Sequence, residues 1–264
     1  MNQGRRQPIG IFDSGIGGLS VLREIRRELP HEDLLYVADS GHAPYGDKAA
    51  GFIEQRAFVI ADFLVREGAK ALVVACNTAT GIAVDALRAR WTLPVVAIEP
   101  AIKPAASVTR SGVVGVLATS QTIASARFAK LVERHRGRAI ILAQPCPGLA
   151  ELVERGDLAG PATRSLVAQC VGPLLEKGAD TLVLGCTHYP FVIDEIRSVA
   201  GPHVEIIDPS RPVARELRRR LDENDLLSDA THHGAVRGWS SGSPDHLRDV
   251  MGRLGFADVD VRGL

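Results

Sequence analysis

Short apolar runs alternate along this chain with longer segments in which apolar positions recur every three or four residues. A short apolar run bounded by turn residues predicts a buried strand, whereas the wider spacing predicts a helix with one buried face. The two patterns follow one another repeatedly. This order predicts an α/β fold with mostly parallel sheets.

The predicted elements divide into two successive series. Strands are predicted at 8–12, 34–38, 71–74 and 94–98, with helices at about 20–30, 53–64 and 80–90. The second series has strands at 112–118, 139–143, 181–185 and 204–207, with helices at about 149–155 and 162–176. Two further helices are predicted beyond Pro209, at about 213–221 and 243–255, where we expect the chain to return to its first part.

Two segments carry nearly the same pattern, and each ends in a cysteine. Residues 67–78 and 177–188 align without a gap, which places Cys76 opposite Cys186. Three other predicted strands match in the same order, so one α/β unit is used twice. We therefore expect two pseudo-symmetric α/β domains. The first comprises residues 1–98 plus 209–264 and the second residues 99–208, with the active site in the cleft between them.

Composition narrows the classes of partner. Lys plus Arg and Asp plus Glu both number 31 among 264 residues, so the charge balance favours neither nucleic acid nor an anionic membrane. A small neutral or zwitterionic ligand fits better. No apolar run is long enough to span a membrane, and residues 1–7 lack the apolar core of a signal peptide. We expect a cytoplasmic protein whose four cysteines are free thiols.

The loop after the first strand reads Asp-Ser-Gly-Ile-Gly-Gly at residues 13–18. Its glycines allow a tight turn and a close approach to a ligand. However, the spacing differs from that of a dinucleotide-binding fingerprint, and the carboxylate of Asp13 would repel a phosphate. The loop therefore favours a small polar ligand over a nucleotide.

The two repeated cysteines are the strongest candidates for chemistry. Each follows a strand and precedes a predicted helix, whose dipole and N–H groups would favour a thiolate. Polar residues that suit a ligand come next, Asn77 and Thr78 after Cys76 and Thr187 and His188 after Cys186. The other two cysteines, Cys146 and Cys170, lack such a setting, and we interpret them as buried packing residues.

Three thiol chemistries are compatible with this pattern. A Cys-His nucleophile would use Cys186 alone, because a histidine follows only that cysteine. A metal pair would need further soft ligands, and the chain has no C-x-x-C motif. Two thiols on opposite sides of one carbon suit a racemase that needs no cofactor. His188 is then either a structural imidazole or a partner of Cys186, with Asp13 in the matching role for the other thiol.

These motifs resemble the cofactor-independent glutamate racemases, within the larger aspartate/glutamate racemase group. The resemblance rests on residues 13–18, Asp-Ser at 39–40, Pro-Tyr-Gly at 44–46, Cys-Asn-Thr at 76–78, Ala-Thr at 118–119 and Gly-Cys-Thr-His-Tyr-Pro at 185–190. It covers nearly the whole chain. Aspartate racemases typically have Glu after the second Cys-Thr, where this chain has His188, so the resemblance favours glutamate.

The resemblance implies a role for each site residue. Cys76 and Cys186 would be the two bases, acting on D- and L-glutamate respectively, with Asp13 and His188 assisting them. Residues that would line the substrate site are Asp13, Ser14, Tyr45, Gly46, Asn77, Thr78, Thr119, Thr187 and His188. It implies no cofactor and no metal, a homodimer, and a product that enters peptidoglycan.

Other functions within and beyond this group stay open. Related enzymes racemise aspartate or hydantoins or isomerise maleate, and they keep the paired cysteines. Some members are described as restraining DNA gyrase. That activity is often tied to an N-terminal extension, whereas only residues 1–7 precede the first predicted strand here.

Overall fold

Strands and helices alternate through a computed structural model of the chain, which describes residues 3–256 and 259–264. Residues 257 and 258 of the predicted returning segment, and residues 1 and 2, lie outside the described residues. The strands are β1 (Ile9–Asp13), β2 (Leu34–Ala38), β3 (Ala71–Val74), β4 (Val95–Ala97), β5 (Val113–Ala118), β6 (Ile140–Pro145), β7 (Thr181–Gly185), β8 (Glu205–Ile207), β9 (Val236–Ser240) and β10 (Asp260–Gly263).

Helices connect these strands and cover the sheets. They are α1 (Leu19–Glu28), α2 (Ala50–Arg66), α3 (Asn77–Arg90), α4 (Ile102–Val108), α5 (Ser120–Ala124), α6 (Ala126–Glu133), α7 (Leu149–Glu154), α8 (Pro161–Glu176), α9 (Ile193–Ala200), α10 (Ser210–Glu223) and α11 (Pro244–Arg253). Short 3₁₀ helices occur at Gln3–Arg6, Ser40–His42, Tyr45–Asp47 and Tyr189–Val192. No helix among the described residues is long and apolar enough to cross a membrane.

The strands form two parallel sheets, as the repeated pattern predicts. The order is β10-β9-β2-β1-β3-β4 in the six-stranded sheet and β6-β5-β7-β8 in the four-stranded sheet. The segment β2-β1-β3-β4 therefore has the same order as the whole second sheet, with β1 equivalent to β5 and β3 to β7. This equivalence confirms the predicted α/β fold with two pseudo-symmetric parallel sheets.

The six-stranded sheet contains two strands that the sequence pattern did not predict. β9 pairs with β2 and β10 pairs with β9, so the end of the chain extends the first sheet. β9 contains Arg237 and Gly238, and most of β10 is exposed, so neither has the apolar run of a buried strand. Pairing with β2, rather than local sequence, places β9 in the sheet, and β10 then pairs with β9 and forms the edge.

Helix α3 begins three residues earlier than predicted. Cys76 is its N-cap residue, and its Sγ accepts a hydrogen bond of 3.4 Å from the Ala79 backbone N–H. Ser, Thr, Asn and Asp usually occupy this position. The sulfur of the candidate catalytic residue thus replaces the usual oxygen, and Asn77 and Thr78 become the first helical residues.

The hydrophobic core runs through both halves of the molecule. The central strands β1, β3 and β7 are buried along their full length, as expected for parallel strands covered on both faces. Tyr36 of the six-stranded sheet and Leu184 of the four-stranded sheet belong to the same continuous cluster of buried residues. The edges of the two sheets that carry the cysteines are therefore held close together.

Candidate active site

The equivalent central strands of the two sheets place both candidate cysteines. Cys76 follows β3 after one residue, and Cys186 follows β7 directly. Asp13 is the last residue of β1, and Thr119 comes directly after β5. Because the carboxyl ends of neighbouring parallel strands lie at one edge of a sheet, all four residues lie where α/β folds bind ligands.

The thiol of Cys76 is buried, and its residue is 4% exposed. Its Sγ lies 3.8 Å from the Ser14 hydroxyl. Burial raises the pKa of this thiol well above its ordinary value, and the negative charge of Asp13 raises it further, whereas the Ala79 N–H acts in the opposite direction. The helix end acts on the pKa of Cys76 in the predicted direction, but burial and Asp13 outweigh it and the net change is a rise.

Asp13 links the two halves of the site. Its Oδ2 accepts a hydrogen bond of 2.6 Å from the Gly18 N–H and one of 3.3 Å from the Thr187 hydroxyl. Complete burial raises the pKa of this carboxyl, and the nearby His188 only partly offsets that rise. A carboxylate with a raised pKa beside Cys76 can exchange a proton with the thiol.

Cys186 has a different neighbour, the imidazole of His188. The Cys186 Sγ lies 3.6 Å from Nδ1, and Nε2 lies 2.6 Å from a carboxylate oxygen of Glu154. Burial lowers the pKa of His188, but its hydrogen bonds to Cys186 and Glu154 outweigh burial and raise the pKa well above the ordinary value. The two neighbours therefore favour the protonated form of His188, with Cys186 on one side and Glu154 on the other.

Glu154 is a site residue that sequence reasoning missed. It is the last residue of α7, and its carboxylate also accepts a hydrogen bond of 2.8 Å from the Ile16 N–H. Burial raises the pKa of Glu154, but the His188 hydrogen bond and charge and the Ile16 N–H outweigh that effect and lower it. No motif surrounds Glu154 in the sequence, so only the fold identifies its role.

The glycines of the loop at 13–18 allow this loop to contact the other half of the site. A Cβ atom on Gly15 would lie 1.8 Å from the Glu154 carboxylate, and one on Gly17 would lie 2.5 Å from the His188 ring. Neither distance is possible for a real side chain. The glycines therefore let the backbone of this loop approach side chains that belong with the four-stranded sheet.

Three threonine hydroxyls from both halves form a second polar group. The Thr78 Oγ1 lies 2.9 Å from the Thr119 Oγ1, which lies 2.9 Å from the Thr122 Oγ1. The backbone at Gly46 packs against Thr119, since a Cβ there would lie 3.3 Å from the Thr119 side chain. The predicted site residues Gly46, Thr78 and Thr119 therefore lie close to one another, and Thr122 belongs to the same group.

The hydroxyl of Tyr45 is hydrogen-bonded to another side chain of the protein. It donates a hydrogen bond to Asp39, whose carboxylate also binds the Arg56 guanidinium at 2.8 and 2.9 Å. This network fixes the loop that carries Gly46. Tyr45 therefore contributes to the site through its backbone and its position rather than through a free hydroxyl.

Asn77 carries a buried amide that lacks partners. The residue is 4% exposed, and neither its Oδ1 nor its Nδ2 has a hydrogen-bond partner among the described residues. Leaving buried polar atoms unpaired costs about 1–3 kcal/mol each. Such an amide beside Cys76 suits a polar ligand that would supply the missing partners.

The remaining two cysteines have hydrophobic rather than polar surroundings. Cys146 and Cys170 are buried free thiols in the hydrophobic core, which agrees with their interpretation as packing residues. Among the described residues, no group of three or more His, Cys, Asp or Glu side chains is placed to hold a metal ion.

Comparison with known proteins gives consistent matches along the chain. The family model described as Asp/Glu/Hydantoin racemase matches residues 9–217. A glutamate racemase from Methylococcus capsulatus is 57% identical over 239 residues, which cover 90% of this chain and 88% of that protein. A crystal structure of a glutamate racemase isoform from Bacillus anthracis superposes with a TM-score of 0.89 at 33% identity, covering 98% of both chains. The glutamate racemase from Francisella tularensis, solved in complex with D-glutamate, has a TM-score of 0.86 at 30% identity over 98% of both chains.

Proposed function

We propose that this chain, which belongs to the Asp/Glu/hydantoin racemase family, interconverts L- and D-glutamate by proton transfer between two thiols and the substrate α-carbon. The observation that carries the proposal is the paired setting of the thiols. Cys76 has Asp13 beside it and Cys186 has His188 beside it, and the two pairs come from equivalent strands of two sheets. The curated relative and the solved structures described above bear the name glutamate racemase, which supports the choice of substrate.

The electrostatics suit reaction from L-glutamate. Cys186, whose Sγ lies 3.6 Å from the His188 imidazole, serves as the base that removes the α-proton. Cys76, whose pKa is raised by burial and by Asp13, holds a proton and donates it to the opposite face of the carbanion. The α-carbon loses one proton to sulfur and gains another from sulfur, so no electron leaves or enters the substrate.

The reverse reaction needs the opposite protonation states. Asp13, which has a raised pKa, accepts the proton of Cys76, and the resulting thiolate attacks D-glutamate. His188 supplies the proton that Cys186 then delivers. Proton transfer by positioned groups typically contributes about 10²–10⁴-fold to the rate. In this proposal Asp13 and His188 therefore return the two thiols to their starting protonation states between turnovers.

The polar groups around the thiols suit an amino acid with two carboxylates. The first N–H groups of α3 lack intrahelical partners and, with the Asn77 amide and the Thr78 hydroxyl, can bind a carboxylate. Asp13 and Glu154 offer negative charge to the substrate ammonium. The threonine group of Thr78, Thr119 and Thr122 provides donors from both halves. Ser14 and Thr187 complete the lining beside Asp13.

Access to the thiols requires the two halves to separate. Cys76 and Cys186 are 4% and 6% exposed, and direct hydrogen bonds join the halves through Glu154 and through Asp13. Exclusion of water strengthens electrostatic interactions around a reacting carbon. Opening would admit the substrate, and closure would then protect the carbanion.

The test is an assay of glutamate handedness. Purified protein, dialysed against a chelator and free of pyridoxal phosphate, should convert L-glutamate to an equal mixture of both forms, as followed by circular dichroism. Aspartate should not racemise, because its shorter side chain would leave buried donors unpaired at a cost on the order of several kcal/mol. A protein without glutamate racemisation would contradict the function, and comparable turnover of aspartate would contradict the specificity.

The resemblance to the family also supports three broader proposals. The enzyme would act in the cytoplasm as a homodimer, and its D-glutamate would enter peptidoglycan.

A further inference from the structure

His246 lies on α11, which belongs with the six-stranded sheet. Its side chain nevertheless contacts α7, which belongs with the four-stranded sheet. In α11, Leu247 and Met251 are buried, and the N-cap Ser243 binds the His246 backbone N–H. The His246 Nε2 lies 3.1 Å from the carbonyl oxygen of Glu154. The last segments of the chain therefore reach a residue that contacts His188.

The contact is at the end of helix α7, where carbonyl groups lack intrahelical partners. Backbone N–H groups after the helix bind the carbonyls of Glu151, Leu152 and Val153. The carbonyl of Glu154 instead accepts from the His246 side chain. A neutral imidazole with its proton on Nε2 and an imidazolium can both donate this bond.

Glu154 is consequently held at its carboxylate and at its backbone. The carboxylate binds the Ile16 N–H and the His188 ring, and the carbonyl binds His246. α7 has only six residues, so its own hydrogen bonds restrain the position of its last residue weakly. A shift of this residue would lengthen the 2.6 Å contact between Glu154 and His188 and weaken the support of Cys186.

We propose that His246 is a positioning residue for the Cys186 side of the reaction, acting through Glu154 and His188. This inference rests on the proposed racemase function. His246 does not touch the substrate or either thiol in this proposal. Its hydrogen bond to Glu154 keeps Glu154, and therefore His188 beside Cys186, in place relative to the six-stranded sheet.

A matched pair of substitutions tests the role. The amide of His246→Gln can place a donor near the position of the imidazole Nε2, whereas His246→Asn is one methylene too short. Exposed His203 provides the control substitution His203→Asn, in which the same change is made away from the site. We expect kcat/KM for glutamate to fall roughly 10-fold or more in His246→Asn, to recover to within about threefold in His246→Gln, and to stay unchanged in His203→Asn.

The decisive readout is the direction of the change in kinetic isotope effects. Slowing the Cys186 step should raise the primary deuterium effect on kcat/KM for Cα-deuterated L-glutamate and lower it for Cα-deuterated D-glutamate. Unchanged activity in His246→Asn would overturn the proposal. So would a loss of activity that leaves both isotope effects at their parent values, because a merely structural defect reduces the amount of active enzyme without changing its rate-limiting step. A parent enzyme without racemisation would instead contradict the proposed function itself.

Discussion

Cys76 and Cys186 occupy equivalent positions in the two sheets but have different neighbours. Cys76 lies beside a carboxyl group, Asp13, and Cys186 lies beside the imidazole of His188. The internal repeat thus supplies two thiols, and the neighbours that differ between the copies give them different surroundings. In the proposed mechanism, this asymmetry lets one thiol act as base while the other acts as acid.

Substitution of either thiol should abolish racemisation in both directions. Each direction needs one base and one acid, so Cys76→Ala and Cys186→Ala should each lower the rate by about 10²–10⁴-fold or more. Cys170→Ala is the matched control, because this thiol is equally buried but lies in the apolar core. Initial rates from L- and D-glutamate measure the effect. Activity within a few-fold of the parent in either site variant would exclude the two-thiol mechanism.

The pairing of Glu154 with His188 predicts how the imidazolium titrates. Glu154→Gln removes the negative charge that helps raise the pKa of His188, so this pKa should fall. Nitrogen-15 NMR of the imidazole should show that His188 in the parent titrates above the ordinary value of about 6.5 and that the variant titrates lower. An identical titration in both proteins would show that Glu154 does not set the charge of His188.

The same pair predicts a pH dependence of stability. The raised pKa of His188 contributes stability that is present below about pH 6.5 and is lost as pH rises through the folded-state value. The lowered pKa of Glu154 contributes stability that is present above about pH 4.3 and is lost as pH falls through the folded-state value. Denaturant titrations should therefore show the largest loss for Glu154→Gln between about pH 4.3 and 6.5. A loss that is equal at all pH values would contradict the ion pair.

The sequence identified most residues of the candidate site but not all of them. Cys76, Cys186, Asp13 and His188 follow predicted strands, so the rule for parallel sheets predicts their proximity. Glu154 ends a short helix that has no motif, and its contact with Ile16 depends on how the two halves meet. Long-range geometry of this kind leaves no local signal in a single sequence.

The loop at 13–18 shows how a short element can depend on small side chains. Gly15→Ala would place a Cβ against the Glu154 carboxylate, which breaks the contact of this residue with Ile16 and shifts it from His188. We expect kcat/KM to fall roughly 100-fold and stability to fall by about 1–3 kcal/mol. Gly51→Ala in α2 is the control, since outside its chain neighbours and its own helix no atom lies within 4 Å of the added methyl group, and alanine favours a helix by about 0.5–1 kcal/mol. Parent-like activity in Gly15→Ala would contradict the proposed contact.

Elements with apolar runs were predictable, and the strands β9 and β10, which lack such runs, were not. The predicted helix at 162–176 matches α8, and the predicted strand at 34–38 matches β2. β9 and β10 escaped prediction because polar residues and glycine interrupt any apolar run in them. Their position follows from the free edge of β2, which exists only once the sheet has formed.

The molecule as a whole consists of one structural unit used twice, and its site lies where the copies meet. The strand order β2-β1-β3-β4 recurs as β6-β5-β7-β8, so each copy brings its cysteine to the same edge. We propose that residues 1–98 plus 209–264 and residues 99–208 are the two units that move apart when substrate enters. The repeat thereby explains how the two thiols of the proposed mechanism occupy equivalent positions in the fold.

Exchange of the α-proton with heavy water tests the two-thiol account most directly. If the thiols act on opposite faces, the proton that one removes is not the proton that the other supplies. L-glutamate racemised in heavy water should therefore give early D-glutamate that carries deuterium at Cα, while the remaining L-glutamate keeps its hydrogen. Mass spectrometry after chiral separation measures both. Early D-glutamate that retains the original hydrogen would instead show that a single base serves both faces.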